Sequence, residues 1–260
     1  MSTTRTIEVE VFRYDPEKDE HPYYKTYQVP CEEEWVVLDA VNYIKDNLDR
    51  SLSYRWSCHM AVCGSCGMMV NGTPTLSCHA FIRDMPNKIR IAPLENFPVA
   101  RDLIVDMDSF VTKLTTVKPY IIPNEKLDEP RSYTQFPEQL KKFKQYSQCI
   151  NCLLCYSACP QVAMVEDFIG PAALALAHRY NQDSRDIGRS AREDVVHSND
   201  GIWECSFVGA CSDVCPKNVD PAAAIQQTKI AATGDFFKGF LMPWTVKDKS
   251  VKKVTPGGQS

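Results

Sequence analysis

The feature that most constrains this chain is a run of four cysteines that ends in a proline. Three cysteines recur at every third position, and a fourth follows after three more residues: Cys149-x2-Cys152-x2-Cys155-x3-Cys159-Pro160. This spacing is typical of an iron–sulfur site, because the two-residue gaps let one tight curl of backbone direct three thiolates at a single cubane, while the fourth cysteine serves a second cluster. Any fold compatible with this run must therefore bring a second group of cysteines close to the first.

A second, incomplete copy of the motif lies downstream. It reads Cys205-x5-Cys211-x3-Cys215-Pro216, and Val208 stands where the first copy has its second cysteine. Crossed ligation between the copies then predicts two clusters with different numbers of ligands. The first is a 4Fe–4S cluster held by Cys149, Cys152, Cys155 and Cys215, and the second has only the three thiolates of Cys159, Cys205 and Cys211. Since valine cannot bind iron, we predict a 3Fe–4S cluster there, with a higher reduction potential than its neighbour.

A third group of cysteines lies nearer the N-terminus. Cys58-x4-Cys63-x2-Cys66 has the plant-type spacing of a 2Fe–2S cluster, and Gly64 and Gly67 permit the unusual backbone angles that point amides at the sulfurs. Paired Cys-x2-Cys units also hold zinc, but neither this loop nor the four-cysteine run has a usual zinc spacing. We therefore predict three iron–sulfur clusters in one chain.

The fourth ligand of the 2Fe–2S cluster follows from strand register. Asn71-Gly72 is a strong signal for a two-residue hairpin turn, so Val70 is predicted to face Thr73. Counting outward from that pair brings Cys78 back beside Cys66, where a fourth thiolate is needed.

The N-terminal half has the pattern of a small sheet with one helix. Apolar and polar residues alternate over 7–11 and 23–29, which predicts a hairpin. Leu38, Val41, Ile44 and Leu48 recur at helical spacing after the acidic run Glu32-Glu33-Glu34, which suits a helix N-terminus. With the cluster loop, the second hairpin and a strand over 88–92, these elements predict a β-grasp domain of the plant-type 2Fe–2S ferredoxin kind over residues 1–105.

The C-terminal half is predicted to be helical, so that the fold class is α+β. A helical stripe begins after Arg101 and comprises Leu103, Met107, Phe110, Leu114 and Val117. Further helices are predicted over 137–145, over 171–180 and, after the Asp220-Pro221 start signal, over about 221–232, with Gly234 as the stop. These helices are predicted to form an all-α helical ferredoxin domain over residues 106–244, and residues 245–260 are predicted to be a disordered tail.

The net charge, the apolar runs and the cysteine content of the chain narrow the class of protein to which it can belong. A net charge of −4 and an isoelectric point near 5.8 lack the basic footprint of a nucleic-acid-binding protein, so we expect no nucleic-acid partner. The sequence shows neither an apolar signal region at its start nor an apolar run long enough to span a bilayer. Twelve cysteines without a secretion signal favour clusters in a reducing compartment over disulfides. The remaining cysteine, Cys31, is interpreted as a buried, inert thiol.

No motif for substrate chemistry accompanies the cysteines. The sequence contains no Gly-rich phosphate loop, no nucleophile triad and no recognisable carboxylate pair. We therefore expect no catalytic residue in this chain, which conducts electrons for chemistry that occurs elsewhere.

The order of the three motifs resembles the iron–sulfur subunits of fumarate reductase and succinate dehydrogenase. The resemblance runs from about residue 5 to 243 and includes Tyr54-Arg-Trp-Ser-Cys58, Ile169-Gly-Pro-Ala-Ala173 and His178-Arg-Tyr-Asn181. It is closer to bacterial quinol:fumarate reductase through Cys63-Gly-Ser-Cys-Gly-Met-Met-Val-Asn71 and Asp220-Pro-Ala-Ala-Ala-Ile-Gln-Gln227. Succinate dehydrogenases usually carry aromatic residues where this chain reads Gln161-Val-Ala-Met164, which favours fumarate reductase.

The resemblance implies a complex at the cytoplasmic face of the bacterial inner membrane, to which this chain is peripheral. A partner flavoprotein reduces fumarate at FAD, and one or two hydrophobic anchor subunits bind menaquinol. Electrons are then expected to pass from menaquinol through the 3Fe–4S, 4Fe–4S and 2Fe–2S clusters to FAD. The residues that match the quinone side of the family are Pro160, Phe207, Gln226 and Lys229. Lys229 is either a donor to a quinone oxygen or an ordinary solvated lysine.

Two alternatives remain at this stage. The chain could serve a succinate dehydrogenase, since flavin and quinone potentials set largely by other chains decide the direction of the reaction. It could also be an adaptor for another flavin or heterodisulfide-type oxidoreductase.

Overall fold

The computed structural model describes residues 5–123 and 134–241. The N-terminal half is built on a five-stranded sheet with the strand order β2-β1-β5-β3-β4. The strands and helical segments of this half are β1 Arg5–Arg13, β2 Tyr23–Cys31, α1 Val37–Tyr43 with a π-helical turn Ile44–Leu48, β3 Gly67–Val70, β4 Thr73–Leu76, a 3₁₀ turn Ile82–Asp84, β5 Lys88–Ala92, β6 Val99–Arg101 and β7 Ile104–Val105.

The predicted hairpins have the register that the sequence indicates. β1 pairs antiparallel with β2, and the apolar residues of β1 at positions 7, 9 and 11 are buried because successive side chains alternate between the two faces of a sheet. In the second hairpin Val70 lies opposite Thr73, as predicted, and the backbone amide of Ser77 donates to the Cys66 carbonyl at 3.0 Å. β1 and β5 pair in parallel and so join the two hairpins into one sheet.

The first helix begins later than predicted. Glu32, Glu33 and Glu34 precede α1 and form a separate turn, closed by the Trp35 amide on the Glu32 carbonyl at 3.2 Å. Val36, which follows, pairs with Phe81 in an isolated bridge that keeps it extended, so the helix starts only after it. The acidic residue in the first turn of the helix is instead Asp39, whose carboxylate accepts the Val36 amide at 2.9 Å. The helix ends in the π-helical turn, and Leu48 is exposed.

The helix predicted after Arg101 also begins later than its apolar spacing indicates. α2 spans Asp108–Thr116, and Leu103 lies between β6 and β7 in a two-stranded ribbon. Asp102 holds the chain in this ribbon. Its backbone amide donates to the Tyr14 carbonyl, and its buried carboxylate accepts a hydrogen bond from the Arg13 guanidinium at 2.9 Å. Leu103 therefore packs in the core of the sheet, in spite of its helical spacing from Phe110.

The C-terminal half is helical over its described residues. Its helices are α3 Pro137–Lys141, α4 Leu154–Ser157, α5 Pro160–Met164, α6 Pro171–Asn181, α7 Arg189–Val196, α8 Ala210–Asp213 and α9 Pro221–Leu241, with 3₁₀ turns at Tyr146–Gln148 and Ile202–Glu204. The helix predicted over 171–180 is confirmed as α6. The one predicted over 137–145 is shorter, because hydrogen bonds such as that from the Phe143 amide to the Leu140 carbonyl tighten its end into turns.

The last helix starts as predicted but does not stop at Gly234. The Asp220 carboxylate accepts the amide of Ala223 at 2.9 Å, as an N-cap does. Gly234 lies inside α9, which continues to Leu241 because one glycine costs a helix only about 1 kcal/mol relative to alanine. The tail predicted over 245–260 lies outside the described residues. Among the helices of the described part, none is both long enough and apolar enough to cross a bilayer.

A shared apolar cluster joins the two halves. It contains Met69 and Leu76 from the sheet, Leu94 from the loop after β5, and Leu154 and Tyr156 from α4. The Tyr156 ring meets the Phe110 ring edge-on at a centroid distance of 5.0 Å. Cys66 and Cys78 also belong to this cluster, so the first cysteine group is built into the junction between the halves.

Candidate iron–sulfur cluster sites

The first cysteine group is organised by amides that point at sulfur. His59 and Ala61 adopt left-handed backbone conformations, with φ of 56° and 54°. As a result, the amides of Met60, Val62 and Cys63 lie 3.3–3.4 Å from the Cys58 Sγ. The Ala61 amide donates to the Sγ of Cys78 at 3.3 Å, so the second hairpin does bring Cys78 to the loop. Amide donors of this kind stabilise the negative charge of a sulfur ligand.

The sulfurs of this group have unequal electrostatics. Hydrogen bonds from Ser65 and the Cys58 backbone lower the pKa of the exposed Cys63 thiol to about 6. Burial raises the pKa of Cys78 to about 11. The exposed Cys63 lies at the solvent side of the loop and the buried Cys78 at its inner side.

The second cysteine group surrounds a cavity. Its lining contains four cysteines from the two motifs, together with apolar side chains: Cys149, Cys152, Cys155, Cys215, Ala172, Ala175 and Val219. Burial raises the pKa of Cys152 to about 11, and burial followed by nearby thiolates raises that of Cys155 well above its ordinary value. Such sulfurs ionise only when a bound cation offsets the charge, as iron does.

The third cysteine group surrounds a separate cavity, which is lined by Cys159, Cys205 and Cys211 and also by Phe207 and Val208. Val208 is 63% exposed, so its side chain does not fill the space. Among the residues that the structure describes, no three His, Cys, Asp or Glu side chains converge as tightly as a single ion requires. The donor sets of the three groups consist of cysteine sulfur alone, which suits iron–sulfur clusters.

The two motifs have the same backbone conformation at equivalent positions. Asn151 and Leu153 of the first copy are left-handed, with φ of 52° and 69°. Phe207 and Gly209 of the second copy are left-handed as well, with φ of 60° and 88°. α4 and α8 follow at the same offset along the chain, as do the preceding 3₁₀ turns. The copies are therefore structural repeats, and the substituted position is Val208.

The three groups lie next to one another. A Cβ on Gly64 would be 2.9 Å from the Ile150 carbonyl oxygen and 3.1 Å from the Cβ of Cys152, so the first loop contacts the second directly. α4 links the second group to the third, because Cys155 lies within it and Cys159 follows shortly after its end. The cysteines therefore form a continuous series through the molecule.

The residues predicted for the quinone side lie around the third group, with one exception. Pro160 and Phe207 line its cavity. The Lys229 ammonium donates to the Cys205 carbonyl at 2.8 Å and lies 5.9 Å from the Trp203 ring centroid, so it is more than a solvated lysine. Gln226 is one helical turn earlier on α9 and does not line that cavity, although its side-chain nitrogen is buried without a hydrogen-bond partner.

Two further residues support the site through contacts that the sequence does not indicate. The Gln161 amide donates to the carbonyl of Glu204 at 2.8 Å and so ties α5 to the turn before Cys205. Asn96, from the loop after β5, donates to carbonyls around Cys159. Both contacts join residues more than 40 positions apart, and no local pattern reports such pairs.

Family models match both halves of the chain. A model described as a 2Fe-2S iron-sulfur cluster binding domain matches residues 8–112, and one described as a 4Fe-4S dicluster domain matches residues 145–219. The order of these matches agrees with the predicted order of the sheet domain and the helical domain.

Individual relatives match over nearly the whole chain. The fumarate reductase iron-sulfur subunit of Escherichia coli O6:H1 is 51% identical over 243 residues, covering 94% of this chain and 100% of that protein. The succinate dehydrogenase iron-sulfur subunit of Coxiella burnetii is 34% identical over 222 residues, covering 84% of this chain and 94% of that protein. A chain of the Mycobacterium smegmatis Sdh1 complex in the apo form has a similar structure, with a TM-score of 0.77 at 26% identity, covering 90% of this chain and 98% of that one.

Proposed function

This chain belongs to the family of iron–sulfur subunits of fumarate reductase and succinate dehydrogenase, and on that premise we propose that it conducts electrons from menaquinol to a flavoprotein that reduces fumarate. The observation that carries the proposal is the continuous series of three cysteine groups, in which the first loop touches the second and α4 joins the second to the third. Such a series suits transfer across the subunit from one partner to another.

We assign the cysteines to three clusters by group. Cys58, Cys63, Cys66 and Cys78 hold a 2Fe–2S cluster, Cys149, Cys152, Cys155 and Cys215 a 4Fe–4S cluster, and Cys159, Cys205 and Cys211 a 3Fe–4S cluster. The bound clusters supply one-electron chemistry, which allows the two electrons of a quinol to be passed on singly. The chain itself positions the sulfurs, excludes water from the inner groups and sets the local charge that tunes each potential.

Exposed apolar side chains lie at both ends of the series of cysteine groups. They support the proposal that a partner protein binds at each end. Three apolar side chains are exposed beside the first group: Trp56, Met60 and Val62. At the other end, Phe207 is exposed beside the third group, and Phe236 is exposed farther along α9. Exposed apolar clusters mark interaction surfaces. We propose that the domain of residues 1–105 faces the FAD-containing flavoprotein and that the domain of residues 106–244 faces one or two hydrophobic anchor subunits. The chain would then be a peripheral protein at the cytoplasmic face of the bacterial inner membrane.

Identity to relatives favours fumarate reduction over succinate oxidation, at 51% against 34%. The deciding experiment assays the complex purified from membranes in both directions, with menaquinol and ubiquinone analogues. We expect faster fumarate reduction with menaquinol, and faster succinate oxidation with ubiquinone would make succinate dehydrogenase the function. Co-purification with a partner that lacks flavin would point to an adaptor instead.

The cluster content is tested on the same preparation. Electron paramagnetic resonance under graded reduction should resolve three centres, of which the 3Fe–4S centre is reduced at the highest potential. Two centres or none would overturn the ligand assignment, and a colourless protein would identify a zinc module.

Lys229 provides a test of the quinone side. Lys229→Met removes the hydrogen bond to the Cys205 carbonyl and should lower menaquinol-linked turnover about tenfold, which corresponds to ~1.4 kcal/mol in the activation barrier. Fumarate reduction driven by a soluble dye that bypasses the quinol should stay unchanged. The control is Lys238→Met, farther along α9 and exposed. Equal effects of the two variants would show that Lys229 is not a quinone-side residue.

A further inference from the structure

The loop between β5 and β6 reaches from the sheet domain to the helix that joins the second and third cysteine groups. Asn96 in this loop directs its side-chain amide at three main-chain carbonyls of the helical domain, those of Tyr156 at 2.9 Å, Ser157 at 3.1 Å and Cys159 at 3.2 Å. The preceding residue adds a second contact, because the Glu95 amide donates to the Ser157 hydroxyl at 2.9 Å. We call residues 95 and 96 the loop clamp.

The chemistry at this point requires a hydrogen-bond donor. Three converging carbonyl oxygens accept hydrogen bonds, so the group that faces them must donate, and an asparagine NH₂ does. Asn96 is left-handed, with φ of 66°, a conformation that asparagine tolerates better than most residues. Ser157 is 4% exposed and its hydroxyl also lies 3.3 Å from the Met69 sulfur. The loop clamp therefore fixes both the side-chain and the main-chain groups at the end of α4.

We propose that Asn96 is a positioning residue for the third cluster, acting through the Cys159 main chain. Its N–H dipoles place positive charge beside that peptide, and hydrogen bonds and local charge are among the features that set the potential of an iron–sulfur cluster. Because α4 carries Cys155 and precedes Cys159, the loop clamp also maintains the spacing between the second and third groups. The sheet domain thereby influences the cluster farthest from its own cysteines.

This inference rests on the proposed ligand set, in which Cys159 serves a 3Fe–4S cluster. The test is a redox titration of the purified complex by electron paramagnetic resonance. Asn96→Gly removes the amide but keeps a residue that accepts the left-handed conformation, and it should lower the potential of the 3Fe–4S centre while leaving that of the 2Fe–2S centre unchanged. Asn96→Asp turns a donor into a charged acceptor beside the same carbonyls, so it should lower the 3Fe–4S potential further.

Asn71 offers matched controls. It is also left-handed, with φ of 50°, and its side chain accepts the Arg90 amide at 2.8 Å wholly within the sheet domain. Asn71→Gly and Asn71→Asp should leave the 3Fe–4S potential unchanged. Ser157→Ala, which removes the other contact of the loop clamp, should lower retention of the 3Fe–4S cluster relative to the 2Fe–2S cluster.

The outcomes separate this inference from the proposed function. Absence of a 3Fe–4S signal from the wild-type complex would refute the ligand set. A wild-type signal whose potential is the same in Asn96→Gly and Asn96→Asp would overturn the positioning role alone. Loss of all three clusters from both Asn96 variants would also overturn it, since that result would mean a general role in folding, whereas selective loss of the 3Fe–4S cluster would support it.

Discussion

Val208 occupies the backbone position in the second cysteine motif that Cys152 occupies in the first. The flanking left-handed residues correspond, Leu153 with Gly209 and Asn151 with Phe207, and the short helices that follow begin at equivalent residues. Val208 lines the cavity of the third cysteine group, as Cys152 lines that of the second. The repeat has therefore lost a sulfur without losing the loop that would present it.

Replacing that valine should restore the missing ligand. Val208→Cys is expected to convert the 3Fe–4S cluster to a 4Fe–4S cluster with a lower potential, because an added thiolate stabilises the oxidised state, and quinol-linked turnover should fall. Iron analysis and electron paramagnetic resonance titration measure the change. Val111→Cys, at an exposed position on α2, is the control. Unchanged spectra and potentials would show that the pairing of the two motifs is wrong.

The contact between the first two cluster loops makes a second prediction. Alanine at Gly64 would combine a left-handed φ of 76° with a Cβ 2.9 Å from the Ile150 carbonyl oxygen. Gly72→Ala separates these effects, since Gly72 has φ of 82° and no atom within 4 Å of an added Cβ. Gly72→Ala, the control, should lose ~1 kcal/mol of the free energy of unfolding because of backbone strain. Gly64→Ala should lose ~2 kcal/mol more than the control because of the clash. Thermal unfolding measures the difference, and equal losses would mean that the loops do not press together.

Local chemistry explains which parts of the fold were predictable. The register of the second hairpin follows from Asn71-Gly72 alone, and from it the position of Cys78, because a two-residue turn fixes every pair outward from itself. The equivalence of the two cysteine-proline motifs likewise follows from the spacing of their cysteines. These features depend on residues close together in the sequence, so the sequence reports them directly.

Two of the wrong predictions share a different cause. Leu103 has the helical phase of Phe110, but the hydrogen bonds of Asp102 to Tyr14 and Arg13 hold that segment in a ribbon. The acidic run before α1 suits a helix start, yet the bridge between Val36 and Phe81 delays it. In each case a partner distant in sequence decides the outcome. The contacts of Asn96 are of the same kind, which is why the sequence did not single it out.

The extension of α9 beyond its predicted stop gives a third prediction. Gly234 has no atom within 4 Å of an added Cβ and lies in the helix interior, where alanine is better by ~1 kcal/mol because glycine loses more backbone entropy on folding. Gly234→Ala should therefore raise the midpoint of thermal unfolding by roughly 2–4 °C. Gly72→Ala, with equal space but a positive φ, should lower it. A lower midpoint for Gly234→Ala would show that the helix does end near this residue.

A buried histidine between two helices makes stability depend on pH. His178 on α6 is 3% exposed, its Nδ1 lies 3.0 Å from the Thr228 hydroxyl on α9, and the Tyr146 ring meets it edge-on at 4.9 Å. Burial lowers the pKa of His178 from 6.5 to about 4, because the charged ring would be desolvated. The folded state therefore favours the neutral ring.

The sign of the fourth prediction follows from that shift. The stabilising contribution is fully present above pH 6.5, the pKa of the unfolded chain, and is lost as pH falls towards 4, where the folded protein also takes up the proton. The loss amounts to ~3 kcal/mol. His178→Gln, which stays neutral and can still bond Thr228, should flatten the pH dependence of the unfolding free energy between pH 6.5 and 4 relative to wild type. His21→Gln, at an exposed position, should not. Parallel profiles for wild type and His178→Gln would mean that His178 is protonated in the folded protein as readily as in the unfolded chain, so that α6 and α9 do not enclose it as described.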